Sequence, residues 1–286
     1  MELPGPIGFV FGGGGSLGAT QVGMLRAIGE AGVVPDLVTG TSVGSLNGAV
    51  LALNGANSAE AHRLIWATMT RNTVFPGGPL GQARTLRRGR NHLFPNTGLT
   101  AVIERYIGAD TTFEDLPTPL GVVAMDVETA QPVLVRSGRL LPALLASCAI
   151  PGIYPPVELN GRLSYDGGVV ANVPMRQAVV MGARSLVVFD CAFPGHLPGP
   201  PHSLAEVVMF TAMVSMRNQA VLEAPTVAEA LPVIYLPGPP PVRMTPLDFS
   251  HTDTLIEQAY LAARTHLEGL VINGPGLYGA PGLALS

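Results

Sequence analysis

Twice within the first fifty or so residues a short apolar run ends in a glycine-bounded turn and gives way to a helical pattern. Ile7 to Phe11 runs into GGGGSLG and then into a helical periodicity from Ala19 to Ala31; Leu37 to Thr39 runs into GTSVG and a second helix ending near Leu53. A short, wholly apolar run bounded by turn signals fits a strand covered on both faces. Strand, turn and helix in tandem build parallel strands joined by crossover helices. This pattern confines the chain to an α/β fold with a mostly parallel central sheet.

The remainder is consistent with that plan. The pattern predicts a helix over Ser58–Thr70, an arginine-rich loop over Gln82–His92, and a helix over Leu99–Tyr106 that Thr97 can cap. Leu120–Asp126 and Pro132–Val135 read as a strand pair, and Val157–Asp166 as a hairpin turning at Asn160-Gly161, the favoured type I′ pair. A strand over Ser185–Cys191, a helix over Ser203–Leu222, a strand over Val233–Leu236 and a helix over Thr252–Leu270 follow. No internal repeat or long linker divides the 286 residues, so a single domain over 1–272 with a loosely ordered tail over 273–286 is expected.

Several chemistries are excluded. All 16 basic residues are arginine, which removes Schiff-base catalysis, a Walker A lysine, a kinase lysine and a Ser-Lys dyad. Cys148 and Cys191 are isolated, so neither a disulfide framework nor a thiolate zinc site is expected. There is no Cys/His cluster and no D-x-D-x-D-G calcium loop, and no cofactor, metal or nucleic-acid partner is expected. Eight glycines interrupt the uncharged stretch Leu3–Leu25 and four prolines interrupt Leu140–Val157. Neither a signal peptide nor a membrane span is therefore read, and a cytoplasmic location is expected.

GTSVG satisfies G-x-S-x-G at a strand end and a helix start, the setting of a nucleophile elbow, and makes Ser42 a candidate nucleophile. The flanking glycines have a steric reason, because side chains two residues either side of a sharply turned serine meet neighbouring backbone. An attacking serine needs donors for the developing oxyanion, and the backbone N–H groups of Gly12–Gly15 can supply them. Gly13, Gly15 and Gly18 also satisfy G-x-G-x-x-G, with Asp36 near the distance of a ribose contact, so a nucleotide-binding oxidoreductase is a competing reading. That reading leaves GTSVG unexplained. Asp166, in SYDGG, follows the hairpin and precedes two glycines, which by default is an ordinary turn.

Taken in order, GGGGSLGATQVGML, GTSVGSLNG, ASCAIPGIYPP and DGGVVANVP resemble the four blocks of the patatin-like phospholipase family, over residues 12 to 174. The resemblance implies a three-layer α/β/α sandwich akin to the cytosolic phospholipase A2 catalytic domain. It also implies a Ser-Asp dyad of Ser42 as nucleophile and Asp166 as general base, an oxyanion hole from the amides of Gly13, Gly14 and Gly15, and no calcium in the chemistry. The implied activity is hydrolysis of a lipid carboxylic ester, phospholipid, lysophospholipid or acylglycerol. With an ordinary carboxyl pKa of about 3.9, Asp166 would be ionised at pH 7 and a weak base. One departure stands out: Ser16-Leu17 replaces the basic residue that the family usually places after the glycines.

A Ser-His-Asp α/β-hydrolase is the enzymatic alternative, and His196, His202, His251 and His266 lie late enough in the chain to serve it. None sits in a motif, and a single strand-plus-helix unit precedes Ser42, fewer than such a fold places there. A non-catalytic lipid-binding protein is the other alternative. From Ala61 to Ile103 there are six arginines and no acidic residue, and subtracting those six charges from the net −4 leaves −10 elsewhere. Such a stretch suits an anionic membrane surface contacted through Arg84, Arg87, Arg88 and Arg90, or a solvated loop. Met209, Met213 and Met216 share one side of their helix and suit core packing or an acyl channel.

Overall fold

The computed structural model describes residues 2–78, 91–191, 201–239 and 247–280. Strands β1 (Ile7–Phe11), β2 (Leu37–Thr41), β3 (Leu120–Asp126), β4 (Pro132–Val135), β5 (Val157–Leu159), β6 (Arg162–Asp166), β7 (Ser185–Phe189), β8 (Pro232–Tyr235) and β9 (Gly276–Tyr278) form one sheet. Its order is β5-β6-β3-β2-β1-β7-β8-β9, with β4 also on β3. The strands from β3 through β9 along this path pair in parallel, and β4, β5 and β6 form an antiparallel flank. Every residue of β2 and β7 is buried, the condition of a parallel strand covered on both faces.

Alternation along β1 divides the core. Phe9 and Phe11 face one side and pack on Phe189, the Phe11 ring stacking at 4.4 Å, while Val10 faces the other side with Leu186 and Val188. The phenylalanine side is covered by helices that include α1 (Ala19–Glu30) and α2 (Val43–Asn54), followed by α3 (Ser58–Thr68), α4 (Arg71–Val74), α5 (Thr97–Tyr106) and α6 (Leu140–Ser147). The opposite side is covered by α8 (Met175–Val180) and α9 (Leu204–Ala228), with the short α7 (Gly168–Ala171) between β6 and α8. The last helix, α10 (Thr252–Leu267), packs Ala259, Tyr260 and Ala263 on the phenylalanine side. The result is the three-layer α/β/α sandwich.

The chain steps outward from β1 to β2 and β3, and later places β7 against the other edge of β1. The carboxyl ends of β1, β2 and β7 thus meet where strand order reverses, the place at which open α/β sheets bind ligands.

Differences from the expected elements have local causes. Helix α6 lies in a stretch where Pro142, Pro151, Pro155 and Pro156 obscure any helical pattern; Pro142 falls in its first turn, where a missing N–H breaks no intrahelical bond. Helix α9 continues past Leu222 through Pro225 to Ala228, its later turns held by Ala220, Ala224 and Val227 in the core. The segment after Asn273, expected to be loosely ordered, contributes β9, which pairs with β8 and is pinned by the Asn273 N–H donating to Tyr278 Oη at 2.8 Å. Thr97 is the first residue of α5 and not its cap; Asn96 holds that place. No helix among the described residues is long and apolar enough to cross a membrane.

Candidate active site

Ser42 stands at the carboxyl end of β2, just before α2, with φ 54° and ψ −130°. Positive φ is unfavourable for a residue with a Cβ, so surrounding contacts must hold this turn. A Cβ at Gly40 would lie 2.5 Å from Gly44 O, and one at Gly44 would lie 2.4 Å from Phe11 O. Both glycines of GTSVG are therefore required by close backbone approach, as the motif predicted. Ser45 N–H and Oγ both donate to Ser42 O, at 2.9 and 2.7 Å, starting α2 directly behind the turn.

Asp166 reaches the same point from 124 residues away. Thr41 pairs with Val123 and Ala124 pairs with Asp166, so strand register alone sets the last residue of β6 beside the end of β2. Ser42 Oγ donates to Asp166 Oδ2 at 2.6 Å, and the Gly168 N–H donates to Asp166 Oδ1 at 2.8 Å. Asp166 is 2% exposed, and among the described residues no cation pairs with it. Burial pushes its carboxyl up to about 7, against the pull of the Ser42 and Gly168 hydrogen bonds. The expectation of an ordinary carboxylate is corrected: loss of hydration makes Asp166 a stronger base, poised near neutral pH.

The glycine loop lies across the end of β1 from Ser42. Gln21, fully buried in α1, donates its amide to Gly12 O and Phe189 O at 2.8 and 2.9 Å and ties the loop to β7. The Gly13 N–H, one of the three donors that the resemblance implies, donates to Asn172 O at 3.1 Å and is engaged within the fold. Gly14 and Gly15 carry no such bond to a described residue, and Gly15 lines the same cavity as Ser42. Asn172 belongs to DGGVVANVP, but nothing local in that block signals that its carbonyl caps Gly13.

The cavity at Ser42 has a volume of about 90 Å³ and an almost wholly apolar wall. Leu46 and Val50 of α2, Trp66 of α3, Ile103 of α5, and Ile150 and Tyr154 after α6 contribute to it. So apolar a wall suits a hydrocarbon group better than a polar one. Asn47 braces the wall, accepting from Trp66 Nε1 and donating to Gln21 Oε1 and Gly18 O. Wall and glycine loop are thereby joined by one buried hydrogen-bonded chain.

The residues of the competing readings lie elsewhere. Asp36 accepts the Ile7 N–H at 2.6 Å, at the amino end of β1 and so at the opposite end of the sheet from the glycine loop, where no nucleotide on that loop could meet it. No histidine among the described residues bonds Ser42 or Asp166 or lines the cavity. His202 donates its backbone N–H to Glu206, His251 stands 3.9 Å from Asp248, and His196 lies outside the described residues. His62, buried between Ser58 O and Asn47 O, is structural. Met213 and Met216 do not line the cavity, and the side chain of Met209 lies outside the described residues. Arg84, Arg87, Arg88 and Arg90 also lie outside them.

The family profile described as Patatin-like phospholipase matches residues 9–179, more than half of the chain and all four blocks. The chain belongs to the patatin-like phospholipase family. Human patatin-like phospholipase domain-containing protein 6 is 33% identical over 187 residues, 64% of this chain and 13% of its own length. Lysophospholipase NTE1 of Mycosarcoma maydis is 31% identical over 189 residues, 64% of this chain and 10% of its own. The chain thus spans about an eighth or less of these curated relatives. Among solved structures, VipD from Legionella pneumophila superposes with a TM-score of 0.51 at 14% identity, over 92% of this chain and 66% of that one, a likeness of fold. At the departure from the family pattern, Leu17 is buried with Val22, Trp66, Cys191 and Leu255. The position usually basic in patatin-like proteins is here part of an apolar cluster.

Proposed function

We propose that the chain hydrolyses carboxylic esters of lipids with Ser42 as nucleophile and Asp166 as general base. The observation that carries the reading is the 2.6 Å hydrogen bond from Ser42 Oγ to Asp166 Oδ2 in a strained turn that opens on an apolar cavity. Asp166 takes the hydroxyl proton as Ser42 Oγ forms a bond to the acyl carbon. The carbonyl oxygen becomes an oxyanion and accepts from the N–H groups of Gly14 and Gly15, at the start of the turn leading into α1. Collapse breaks the ester C–O bond, and Asp166 returns its proton to the departing alkoxide, leaving the acyl group on Ser42. Water then attacks, giving its proton to Asp166, and a second collapse releases the fatty acid as Asp166 returns that proton to Ser42 Oγ. The apolar cavity holds part of the acyl chain beside Ser42.

The same proposal includes contact with an anionic membrane through Arg84, Arg87, Arg88 and Arg90, supported by the charge distribution of the sequence. Attraction through these side chains would be screened within about 8 Å at physiological salt.

The test is fatty-acid release from a panel of soluble esters and phospholipid vesicles, with covalent labelling by a fluorophosphonate. Ser42→Ala should lose both release and labelling while keeping its fold. Labelling that persists in that variant would end the assignment.

A further inference from the structure

The third sequence block, ASCAIPGIYPP at residues 146–156, lends Ile150 and Tyr154 to the cavity wall but no reacting group to the chemistry above. Its residues nevertheless meet both members of the pair. Ser147, fully buried at the end of α6, accepts the Ser42 N–H at Oγ (2.9 Å) and donates its own proton to Val123 O (2.6 Å). Two residues later, Ala149 O accepts the Asp166 N–H at 2.9 Å. The backbone amides of nucleophile and base are thus tied to one three-residue turn. The third tie, to β3, lands on a carbonyl that already abuts the turn after Asp166, since a Cβ at Gly167 would lie 2.4 Å from Val123 O.

We infer that the Ser147–Ala149 turn is a clamp that sets the Ser42–Asp166 spacing, with Ser147 as a positioning residue for the nucleophile. The inference rests on the Ser42–Asp166 reading above. The Ser42 N–H precedes the first turn of α2 and belongs to the donors that a helix start leaves without partners. Ser42 lies one residue beyond the end of β2, and Ser147 Oγ supplies the acceptor for its N–H. A hydroxyl is suited to the place because it accepts from Ser42 and donates to Val123 with the same atom. Alanine would leave the buried Ser42 N–H without this acceptor, and its relaxation would move Ser42 Oγ relative to Asp166. Displacements of about 1 Å in such pairs lower rates by about 10²-fold.

The measurement is the single-turnover modification of the full chain, phosphonylation by a fluorophosphonate and acylation by a soluble aryl ester, across pH. The rate constant reports the reactivity of each folded site, and the amplitude reports how many sites are folded. Ser147→Ala should lower the rate constant about 10- to 100-fold, with KM for the soluble ester changed by less than about twofold. The midpoint of its acidic limb should move upward, because a loosened Ser42 hydroxyl no longer lowers the pKa of Asp166. Ser147→Cys, nearly the same size but a weak donor and acceptor, should fall between alanine and the parent. A rate constant equal to the parent's in both variants, with the loss confined to amplitude, would reduce Ser147 to a folding residue and overturn the inference. Labelling that survives Ser42→Ala would instead overturn the dyad reading beneath it.

Discussion

Asp126 and Asp166 lie two pairs apart in the ladder joining β3 to β6, opposite Ser164 and Ala124, and both are nearly excluded from solvent. Their carboxyls nevertheless move in opposite directions. Asp126 accepts from Arg162 at 2.7 Å and from the N–H groups of Glu128 and Thr129, and the guanidinium first and then those bonds hold it down at about 2. Asp166 has a hydroxyl and one N–H and, among the described residues, no cation, and burial raises it to about 7. One carboxylate is a brace held in its ionised form at neutral pH; the other is shifted toward neutrality. The residue type does not decide which, and the ring of partners does.

The largest effect that sharpens this contrast is on turnover. Asp166→Asn keeps the shape of the side chain but cannot accept the serine proton, and ester hydrolysis should fall by a factor of about 10² to 10⁴. Asp126→Asn should leave the chemical step within a few-fold of the parent, since Asp126 bonds neither Ser42 nor the cavity. Steady-state kinetics on a soluble ester separates the two, and equal losses would break the distinction.

Next comes the pH profile. Asp166 works as a base only when ionised, so kcat/KM of the parent should rise with pH through a single step near 7. Asp126→Asn should leave that midpoint in place. A limb centred near 4 would mean that Asp166 is solvated in solution.

Stability should then separate the pair by sign. Asp126, held low, contributes stability that is present above its unfolded value near 3.8 and lost as the pH falls toward 2. Asp166, held high, contributes stability that is present below 3.8 and lost as the pH rises through about 7. The melting temperature of Asp166→Asn relative to the parent should therefore climb between pH 4 and pH 8. Asp126→Asn should be less stable than the parent at pH 7, a deficit that shrinks as the pH falls below 4. Thermal scans at four pH values check both signs.

The smallest effect concerns histidine. Single replacement of His92, His196, His202, His251 or His266 should change turnover by less than about threefold, against the 10²- to 10⁴-fold loss expected on removing a general base. A histidine variant that matched Asp166→Asn would restore the triad reading.

The amino-acid sequence alone determined what is local to the backbone. The strand–turn–helix units, the need for glycine on both sides of Ser42, and the hairpin at Asn160-Gly161, where both residues have positive φ, depend on sterics over a few residues and are legible as motifs. Tertiary structure decided everything that depends on which distant groups share a space. Strand register brought Asp166 to Ser42 and burial set its proton affinity; Asn172 took the Gly13 amide; Asp36 fell at the wrong end of the sheet for a nucleotide; and α6, hidden by its prolines, placed Ser147 and Ala149 on the two amides of the pair. Desolvation and pairing across more than a hundred residues leave no periodicity along the chain, and they appear only when the strands are laid side by side.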